Sequence, residues 1–428
     1  MTIANTPDLN VRRLGECRFA SPVNGIDFVA DDERILYESD PREIMAAAQG
    51  AELCSFEAAG PRKRVYFNAP ELCCGIVTCG GLSPGINDVI RAIVMSLNYH
   101  YGVKTLLGFR YGFAGLNPQT ALEPMALSPE KVDDIHLKGG TILGTSRGPQ
   151  DIGVMVNTLE EKNIGILFAI GGDGTMRGAH AISEEIERRG LKTAVVGIPK
   201  TIDNDLAFVQ QSFGFETAVT ETRKAIYAAH MEAHGARNGI GLVKLMGRYS
   251  GFIAAYATLA SSDVNFCLVP EIKFSMDGFL EALRERLIRK DHAVIVTAEG
   301  AGQELMQATG EHDASGNIRL GDIGAFLRQA IKEHFSKNGM EYTLKYIDPS
   351  YMIRSVPSNA HDSVYCLLLG HNAVHAAMSG RTDMLVGNWK DRFTHLPLSV
   401  AVSTRKKIEP GSRLWNNVLE ATGQPSKM

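Results

Sequence analysis

The chain has 428 residues, 44% of them hydrophobic and 21% charged, so it is long enough to fold into about two or three domains around a sizeable core. Its formal net charge of −4 provides no general positive field, which argues against a nucleic-acid partner or attachment to a membrane surface. The sequence contains no apolar run of about 18 residues and no cysteine pair in CxxC spacing, so neither a membrane span nor a cysteine-based zinc site is expected.

Residues 1–70 show no strong hydrophobic period, and we interpret them as an N-terminal extension or a small lid. From Cys73 onward, short apolar runs alternate with helical patterns, which is typical of parallel βαβ units. The first such unit begins with a buried strand predicted at residues 75–78. It continues through a glycine-rich turn at residues 80–85 and ends in an amphipathic helix.

Further buried strands are predicted along the chain, each ending in a polar or glycine-rich turn: residues 164–170, 194–198, 240–245, 266–269 and 293–298. In open α/β sheets, ligands bind outside the carboxyl ends of strands, so the unusual residues of these turns lie where a site is expected. A late core helix follows, with Gly380 as its C-terminal cap and with these apolar positions: Val364, Leu367, Leu368, Val374 and Met378.

The glycine-rich turn at residues 80–85 could let backbone amides approach a phosphate closely, because the N-terminus of the following helix favours an anion. Its spacing differs from that of a P-loop, which requires a Gly-Lys-Ser/Thr ending. A tight strand–helix turn without a ligand is the structural alternative, and the turn alone does not decide between the two.

The stretch Gly171-Gly172-Asp173-Gly174-Thr175 is more specific. Its glycines clear space beside a strand end, and Asp173 supplies one carboxylate suited to Mg²⁺ that is held jointly with phosphates. The alternative is that Asp173 only caps the following helix. Because lipid kinases of the diacylglycerol type and NAD kinases share this pattern, it indicates phosphoryl transfer at a nucleotide site without identifying the acceptor.

Asp203 and Asp205 form the strongest candidate pair of catalytic residues. Two positions apart on extended backbone, their side chains are expected to point to the same side. One carboxylate can then take the proton of a hydroxyl as the alcohol attacks phosphorus, while the second orients it or the acceptor. Lys200 and Thr201 precede the pair and could contact phosphate oxygens. A surface turn rich in Asp and Asn is the alternative.

Other candidates are isolated charged or polar residues. Arg147 lies in a glycine-rich segment and could stabilise charge on the transferred phosphoryl group. Arg248 and Arg354 could clamp the acceptor's phosphate through their forked donors. Basic clusters at residues 62–64 and 405–407 are interpreted as solvated faces. Three further residues complete the predicted acceptor site: Glu299 for sugar hydroxyls, with Lys345 and Tyr351 beside the phosphate clamp.

Taken together, these loops resemble the ATP-dependent 6-phosphofructokinase family, and the resemblance covers about residues 72–390. The most similar branch is the long-chain one found in plants, trypanosomatids and some bacteria. The matching motifs appear in the family's order: Thr78-Cys79-Gly80-Gly81 with Pro84-Gly85 and Asn87, Gly144-Thr145-Ser146-Arg147, residues 171–175, residues 199–205, Met246-Gly247-Arg248, Pro270-Glu271, Thr297-Ala298-Glu299 and Tyr351-Met352-Ile353-Arg354.

The resemblance implies an α/β fold of two doubly wound, Rossmann-like domains with an N-terminal extension. The implied ranges are 1–70 for the extension, 71–214 plus about 353–403 for a nucleotide-binding domain, 215–352 for a fructose 6-phosphate-binding domain, and 404–428 for a C-terminal tail. It also implies a homotetramer or homodimer, allosteric control and a cytoplasmic enzyme of glycolysis. The ending Ser426-Lys427-Met428 leaves a peroxisome-like organelle as a minor alternative.

The resemblance also assigns roles to residues, with ATP as donor, Mg²⁺ as cofactor and fructose 6-phosphate as acceptor. Asp203 would be the base for the 1-hydroxyl of the sugar, and Asp205 and Thr201 would position the reacting groups. Arg147 would stabilise the transferred charge, and Asp173 would hold Mg²⁺. The nucleotide would also contact Gly81, Gly172, Gly174, Thr175, Gly178 and Lys200. The sugar phosphate would also contact Met246, Gly247, Arg248, Glu299, Lys345, Tyr351 and Arg354.

Two residues give opposite indications about the phosphoryl donor. Lys200 is typical of pyrophosphate-using relatives, whereas Gly174 stands where those relatives place an aspartate that would exclude ATP by bulk and charge. We therefore expect ATP, with a pyrophosphate-dependent phosphofructokinase as the alternative. A lipid or NAD kinase and a catalytically silent regulatory subunit are the other rivals. Glu271 matches one glutamate of the bacterial effector site.

Overall fold

The computed structural model describes residues 7–38, 40–47, 53–307, 310–311 and 318–428. Parts of the predicted N-terminal extension, namely residues 1–6, 39 and 48–52, lie outside the described residues.

The strands and helices alternate along most of the chain. The strands are β1 (Arg12–Arg13), β2 (Phe19–Ala20), β3 (Arg34–Leu36), β4 (Ser55–Ala58), β5 (Arg64–Val65), β6 (Cys73–Thr78), β7 (Thr105–Phe109), β8 (Met125–Ala126), β9 (Ile164–Gly171), β10 (Ala194–Pro199), β11 (Gly239–Leu245), β12 (Phe266–Leu268), β13 (His292–Ala298), β14 (Thr343–Ile347), β15 (Arg381–Thr382), β16 (Met384–Trp389) and β17 (Arg392–Pro397). The helices are α1 (Pro41–Ala47), α2 (Ile86–Met95), α3 (Ile152–Glu161), α4 (Asp173–Arg188), α5 (Phe215–His234), α6 (Phe252–Ser261), α7 (Met276–Lys290), α8 (Ile323–Lys337), α9 (Ser350–Arg354), α10 (Ala360–Met378), α11 (Leu398–Ala401) and α12 (Arg413–Thr422). Short 3₁₀ turns and one π-helical turn lie at Ala69–Glu71, Ser96–His100, Gly112–Leu116, Pro118–Thr120, Glu130–Val132, Ile135–Leu137 and Gln303–Leu305.

The chain divides into two compact units. Unit 1 comprises the described residues up to Thr201 together with Leu206–Gly214 and Val356–Arg405. Unit 2 comprises the described residues of Ile202–Asp205, Phe215–Ser355 and Lys406–Met428. The N-terminal segment therefore belongs to unit 1, and most of the segment expected as a C-terminal tail belongs to unit 2. The nucleotide- and sugar-binding roles of the two units remain predictions.

Unit 1 is built on a mixed sheet with a parallel centre. The strand order is β3-β4-β17-β16-β10-β9-β6-β7-β8, and the pairs from β16 to β7 are parallel. Alternate residues of β9 point to opposite faces of this sheet. Phe168 and Ile170 pack in one hydrophobic cluster with α2 and α10, whereas Leu167 and Ala169 pack in a second cluster with α3 and α4. Helices thus cover both faces, as in a doubly wound fold.

A buried ionic network attaches the N-terminal segment to the rest of unit 1. The Glu57 carboxylate accepts hydrogen bonds from Arg62 at 3.2 Å and from Arg381 Nε at 2.5 Å, and Asp31 pairs with Arg381 at 2.9 Å. Burial alone would raise the pKa of Glu57, but His395 and Arg381 hold it well below its usual range. Arg62 is only 2% exposed, so its assignment to a solvated basic face was wrong. A local cluster of basic residues does not show that one of them turns inward to a buried carboxylate, here Glu57 five residues earlier.

Unit 2 contains a smaller, fully parallel sheet in the order β12-β13-β11-β14. Val243 and Leu245 of β11 face a cluster formed with α5, α6 and α12, while Ile240 and Leu242 face a cluster formed with α7 and α8. The C-terminal helix α12 inserts Trp415 into the first of these clusters, at 4% exposure.

The predicted strands are confirmed as β6, β9, β10, β11, β12 and β13, and each bound lies within two residues of the one expected. The late helix is confirmed as α10, and Gly380 follows it with φ 74°, which explains the glycine. Of its apolar positions, Val374 and Met378 are buried. The expectation of a core position was wrong for three others, which are 41–59% exposed: Val364, Leu367 and Leu368. Helical spacing alone does not say which stripe a neighbouring helix covers.

Candidate active site

Three neighbouring parallel strands of unit 1 end at one edge of the sheet. Ile170 of β9 pairs with Thr78 of β6 and with Ile198 of β10, so the loops that follow these strands start side by side. Backbone hydrogen bonds join the loops: the Cys79 amide donates to Ile170 O at 2.9 Å, and the Lys200 amide donates to Gly171 O at 2.8 Å. The structure therefore brings together the candidate nucleotide-binding loops.

Asp173 opens helix α4. Gly172 is the N-cap and Asp173 lies in the first turn, so the alternative that Asp173 is the capping residue is wrong. Its Oδ2 accepts hydrogen bonds from Arg405 at 2.9 Å and from Arg177 Nε at 3.3 Å. Sequence reasoning missed both arginines. Arg177 could have been found from its i,i+4 spacing to Asp173, whereas Arg405 lies 232 residues away and carries no such signal.

The glycines around Asp173 have different structural reasons. A Cβ at Gly171 would lie 2.1 Å from Thr175 Oγ1, and one at Gly178 would lie 2.7 Å from Phe113, so both positions exclude a side chain by internal packing. A Cβ at Gly174 would meet no atom within 4 Å. Gly174 is exposed in the first turn of α4, next to Asp173 in the chain, and it has open space where a side chain would stand.

Lys200 supports the first glycine-rich loop. The residue is only 6% exposed, and its ammonium donates a hydrogen bond to Gly81 O at 2.7 Å. The loop carrying Arg147 meets the same turn, because Thr145 Oγ1 donates to Gly80 O at 2.6 Å and the Gly80 amide donates to Ser146 O at 3.0 Å. Arg147 itself is exposed. Thr201, the last of these candidates in unit 1, accepts a hydrogen bond from Ser212 Oγ at its carbonyl.

Asp203 and Asp205 lie in a turn of unit 2. Asn204 between them has φ 55°, a left-handed conformation that asparagine tolerates, so the expectation of extended backbone was wrong. The turn is anchored at two carbonyls: Ser250 Oγ donates to Asp203 O at 3.5 Å, and the Lys406 amide donates to Asp205 O at 2.8 Å. Asp205 is 8% exposed, and Asp203 is half-buried.

A second group of candidates lies at the carboxyl ends of β11 and β13. The Glu299 amide donates to Leu245 O at 2.8 Å, and the Gly300 amide donates to Gly247 O at 3.0 Å, which joins the two strand-end loops. Gly247 has φ 125°, a conformation that favours glycine. Met246 next to it is buried.

In this second group, the Glu299 carboxylate interacts electrostatically with the guanidinium groups of Arg248 and Arg354. Burial raises the pKa of Glu299, and the positive charges of Arg248 and Arg354 oppose that rise. The Arg354 guanidinium stacks over the Tyr351 ring at 4.5 Å, which orients it. Lys345 lies in the middle of β14, where its ammonium is 3.7 Å from Glu232 of α5, and its contact with the sugar phosphate stays a prediction.

Lys244 is a further charged residue that the site prediction missed. It lies in the apolar strand β11 and pairs with Asp348 at 2.9 Å and Asp322 at 3.1 Å. Burial would lower the pKa of Lys244, but its hydrogen bonds to these two carboxylates raise it above the usual value. A lysine within an otherwise apolar strand was the sequence signal that could have drawn attention to it.

Glu271 has internal partners. Its carboxylate accepts hydrogen bonds from the amide of Gly251, the N-cap of α6, at 3.1 Å, and from the amide of Ile408 at 2.9 Å. These contacts tie the start of α6 to the C-terminal segment of unit 2. These hydrogen bonds give Glu271 a structural role, so its presence does not require an effector-binding site.

Within the part of the chain that the structure describes, no three or more His, Cys, Asp or Glu side chains are grouped so that they could hold a metal ion. The helices of the described ranges include none that is long and apolar enough to cross a membrane. All seven cysteines are free thiols.

Glycine-rich and charged loops at the carboxyl edges of parallel strands define an α/β protein suited to phosphorylated ligands. Residues 73–377 match the profile of the family described as phosphofructokinase, and the chain belongs to that family.

The chain is 49% identical to a protein of Amycolatopsis methanolica named ATP-dependent 6-phosphofructokinase, over 98% of this chain and 95% of that relative. It is 51% identical to the ATP-dependent 6-phosphofructokinase 7 of Arabidopsis thaliana, over 91% of this chain and 81% of the relative. It is 45% identical to the ATP-dependent 6-phosphofructokinase of Trypanosoma cruzi, over 97% and 87%. The predicted resemblance to bacterial, plant and trypanosomatid members is confirmed.

A solved structure supports the fold. The pyrophosphate-dependent phosphofructokinase from Marinobacter aquaeolei matches 83% of this chain and 92% of its own, with a TM-score of 0.67 and 21% identity. At this identity the likeness shows the fold alone, and it confirms the predicted fold class.

Proposed function

We propose that this chain transfers the γ-phosphoryl group of ATP to the 1-hydroxyl of fructose 6-phosphate, giving fructose 1,6-bisphosphate and ADP. The names of relatives that match nearly the full chain support this activity. The observation that carries the choice of donor is the open position of Gly174 beside Asp173, because an adenine nucleotide needs space next to its α-phosphate where a pyrophosphate user has a carboxylate.

The loops of unit 1 would bind the donor as its magnesium complex. Magnesium is usually held by one or two carboxylates together with phosphates and waters, so the single carboxylate of Asp173 fits this role without a cage of protein ligands. Arg177 and Arg405 both contact Oδ2 of Asp173 and fix its orientation. Arg147 is exposed on a loop bonded to Gly80 and would stabilise negative charge on the transferred group.

The turn containing Asp203 would supply the base. As the sugar's 1-oxygen forms its bond to the γ-phosphorus, its proton passes to the Asp203 carboxylate, and the bond from phosphorus to the bridging oxygen of ADP breaks. Asp205 and Thr201 would position the reacting groups. Two carbonyl hydrogen bonds hold the turn in place and support this assignment.

The strand-end group of unit 2 would bind fructose 6-phosphate. Arg248 and Arg354 would contact its phosphate through forked donors, and Glu299 would accept sugar hydroxyls. Met246, Gly247 and Tyr351 shape this group by burial, backbone conformation and stacking. Lys345 pairs with Glu232. Its predicted contact with the sugar phosphate has no support from this position.

Pyrophosphate is the second candidate donor, and Lys200 was the residue that favoured it. Its ammonium hydrogen-bonds to Gly81 O, which gives the lysine a role in supporting the loop. The experiment measures fructose 1,6-bisphosphate formation with each donor and Mg²⁺. We expect kcat/KM to be higher with ATP, and a higher value with pyrophosphate would overturn the assignment.

A cytoplasmic homo-oligomer, tetramer or dimer, with allosteric control is proposed in addition. The family resemblance supports it. Light scattering of the purified protein tests the assembly, since a monomer at working concentration would contradict the proposal.

A further inference from the structure

The basic run at residues 405–407 contacts both candidate carboxylate loops. Arg405 pairs with Asp173 in unit 1, and its backbone forms an isolated antiparallel bridge with Leu206. In unit 2, the amide of the next residue, Lys406, donates to Asp205 O at 2.8 Å. The interpretation of this run as a solvated face was therefore wrong for its first two residues.

The Lys406 side chain is held against the protein. Its ammonium lies 5.2 Å above the centre of the Phe252 ring, a distance at which a cation is attracted to the ring face. Burial lowers the pKa of Lys406 to about 8, and the charge of Asp205 opposes that shift. An ammonium that is costly to bury and has a carboxylate for a neighbour is expected to have a functional or structural reason.

The position of Lys406 is set by the chain that follows it. The Ile408 amide is bonded to Glu271, and Ile408 is 2% exposed. Further on, Gln424 accepts a hydrogen bond from the Cys267 amide at 2.6 Å, and Met428 O accepts one from the Ser275 amide at 2.8 Å. The C-terminal segment is thus attached to unit 2 along its length, which leaves Lys406 little freedom to move.

We propose that Lys406 is a positioning residue for phosphoryl transfer: its ammonium, held on Phe252, fixes the carboxylate of Asp205 and thereby the turn that carries Asp203. This inference rests on the proposed function. No bond to substrate is implied, because Lys406 acts through the aspartate turn. A fixed positive charge here orders the Asp205 carboxylate, and through the turn it orders Asp203, before the substrates arrive, which is the kind of preorganisation that affects turnover more than binding.

Lys406→Met tests the proposal, because it keeps the backbone hydrogen bond to Asp205 O and most of the side-chain volume while removing the charge. We expect kcat to fall about tenfold or more, within the effect expected for a misplaced catalytic group, while KM for fructose 6-phosphate changes less than about threefold. Lys406→Arg should recover a large part of kcat, since it restores the cation. Lys407→Met is the matched control, as Lys407 is exposed.

The outcomes separate this inference from the proposed function. A wild-type enzyme that does not phosphorylate fructose 6-phosphate with ATP would overturn the proposed function. An active wild type together with a Lys406→Met variant that keeps more than about half of kcat would overturn the role of Lys406 alone. Equal losses in Lys406→Met and Lys407→Met, or no recovery in Lys406→Arg when all variants unfold at the same temperature, would also overturn it.

Discussion

The proposed chemistry depends on single residues, and the structure explains the residue type found at several of these positions. Asn204 occupies a left-handed position between the two candidate catalytic aspartates, where most side chains would be strained. Gly174 leaves open space beside Asp173, whereas Gly171 and Gly178 have no room for a side chain. Substitutions at Asp203 and Gly174 therefore test chemistry, while substitutions at the other two glycines would test packing.

Asp203→Asn removes the proposed base and keeps the shape of the side chain. Because general-base catalysis contributes about 10²–10⁴ in rate, we expect kcat to fall at least about 100-fold, with KM for fructose 6-phosphate within a few-fold of wild type. Steady-state kinetics of purified protein measure both. Near-normal turnover would show that another group takes the proton.

Gly174→Asp is expected to reduce kcat/KM for ATP strongly, since it places a carboxylate beside Asp173 where phosphates would bind. Gly174→Ala is the matched control: its methyl group meets no atom within 4 Å, so ATP use should stay close to wild type. Kinetics with ATP as the varied substrate compare the two. If the aspartate variant used ATP as well as the alanine variant does, position 174 would not control the donor.

The candidate site residues lie where strands end and helices begin. The loops after β6, β9 and β10 begin side by side because the strands are parallel and in register. Helix α4 begins at Asp173, and α6 begins after Gly251, whose amide is bonded to Glu271. Through Ile408, the same glutamate also holds the C-terminal segment, so one carboxylate joins two elements of unit 2.

Glu271→Gln tests this joining role. The amide offers only one acceptor oxygen, so at least one of the backbone hydrogen bonds is lost. Because burial raises the pKa of Glu271, its charge is not itself stabilising, and we expect the free energy of unfolding to fall by about 1 kcal/mol, the value of one neutral hydrogen bond. Urea denaturation measures it. The control is Glu281→Gln on the exposed face of α7, where loss of the solvent-screened pair with Arg284 should leave the midpoint of urea denaturation close to that of the wild type. A stable Glu271→Gln variant with an altered effector response would instead favour an effector site.

Ionic contacts join the first and last segments of unit 1. Glu57 and Arg62 from the N-terminal segment meet Arg381 and His395 from beyond α10, at positions that are almost completely buried. Breaking such a buried ionic network leaves charges without a partner and costs about 3–5 kcal/mol. The N-terminal segment is therefore expected to contribute to the stability of unit 1.

Glu57→Gln should lower the free energy of unfolding at neutral pH by about 3 kcal/mol or more. The pKa of Glu57 is lowered in the folded state, so its stabilisation is complete above the unfolded value of about 4.3 and is lost as pH falls below it. The difference between wild type and variant should therefore shrink from about pH 6 to about pH 3 in urea titrations. Glu33→Gln, which breaks a more exposed pair with Arg392, is the control and should show less than about 1 kcal/mol at either pH. A constant difference across the range would contradict the ionised state of Glu57.

The amino-acid sequence by itself determined the buried strands, the glycine-rich loops after them, the cap at Gly380 and the family, because each depends on a local pattern of apolar, glycine and charged residues. Only the tertiary structure decided the partners of charged residues. Arg405 reaches Asp173 across 232 positions, and Arg381 reaches Glu57 across 324, distances at which no periodicity relates two residues. For the same reason the chain alone could not show that Lys406 lies at the Asp205 turn, since a basic residue looks the same in sequence whether water or a buried carboxylate is its neighbour.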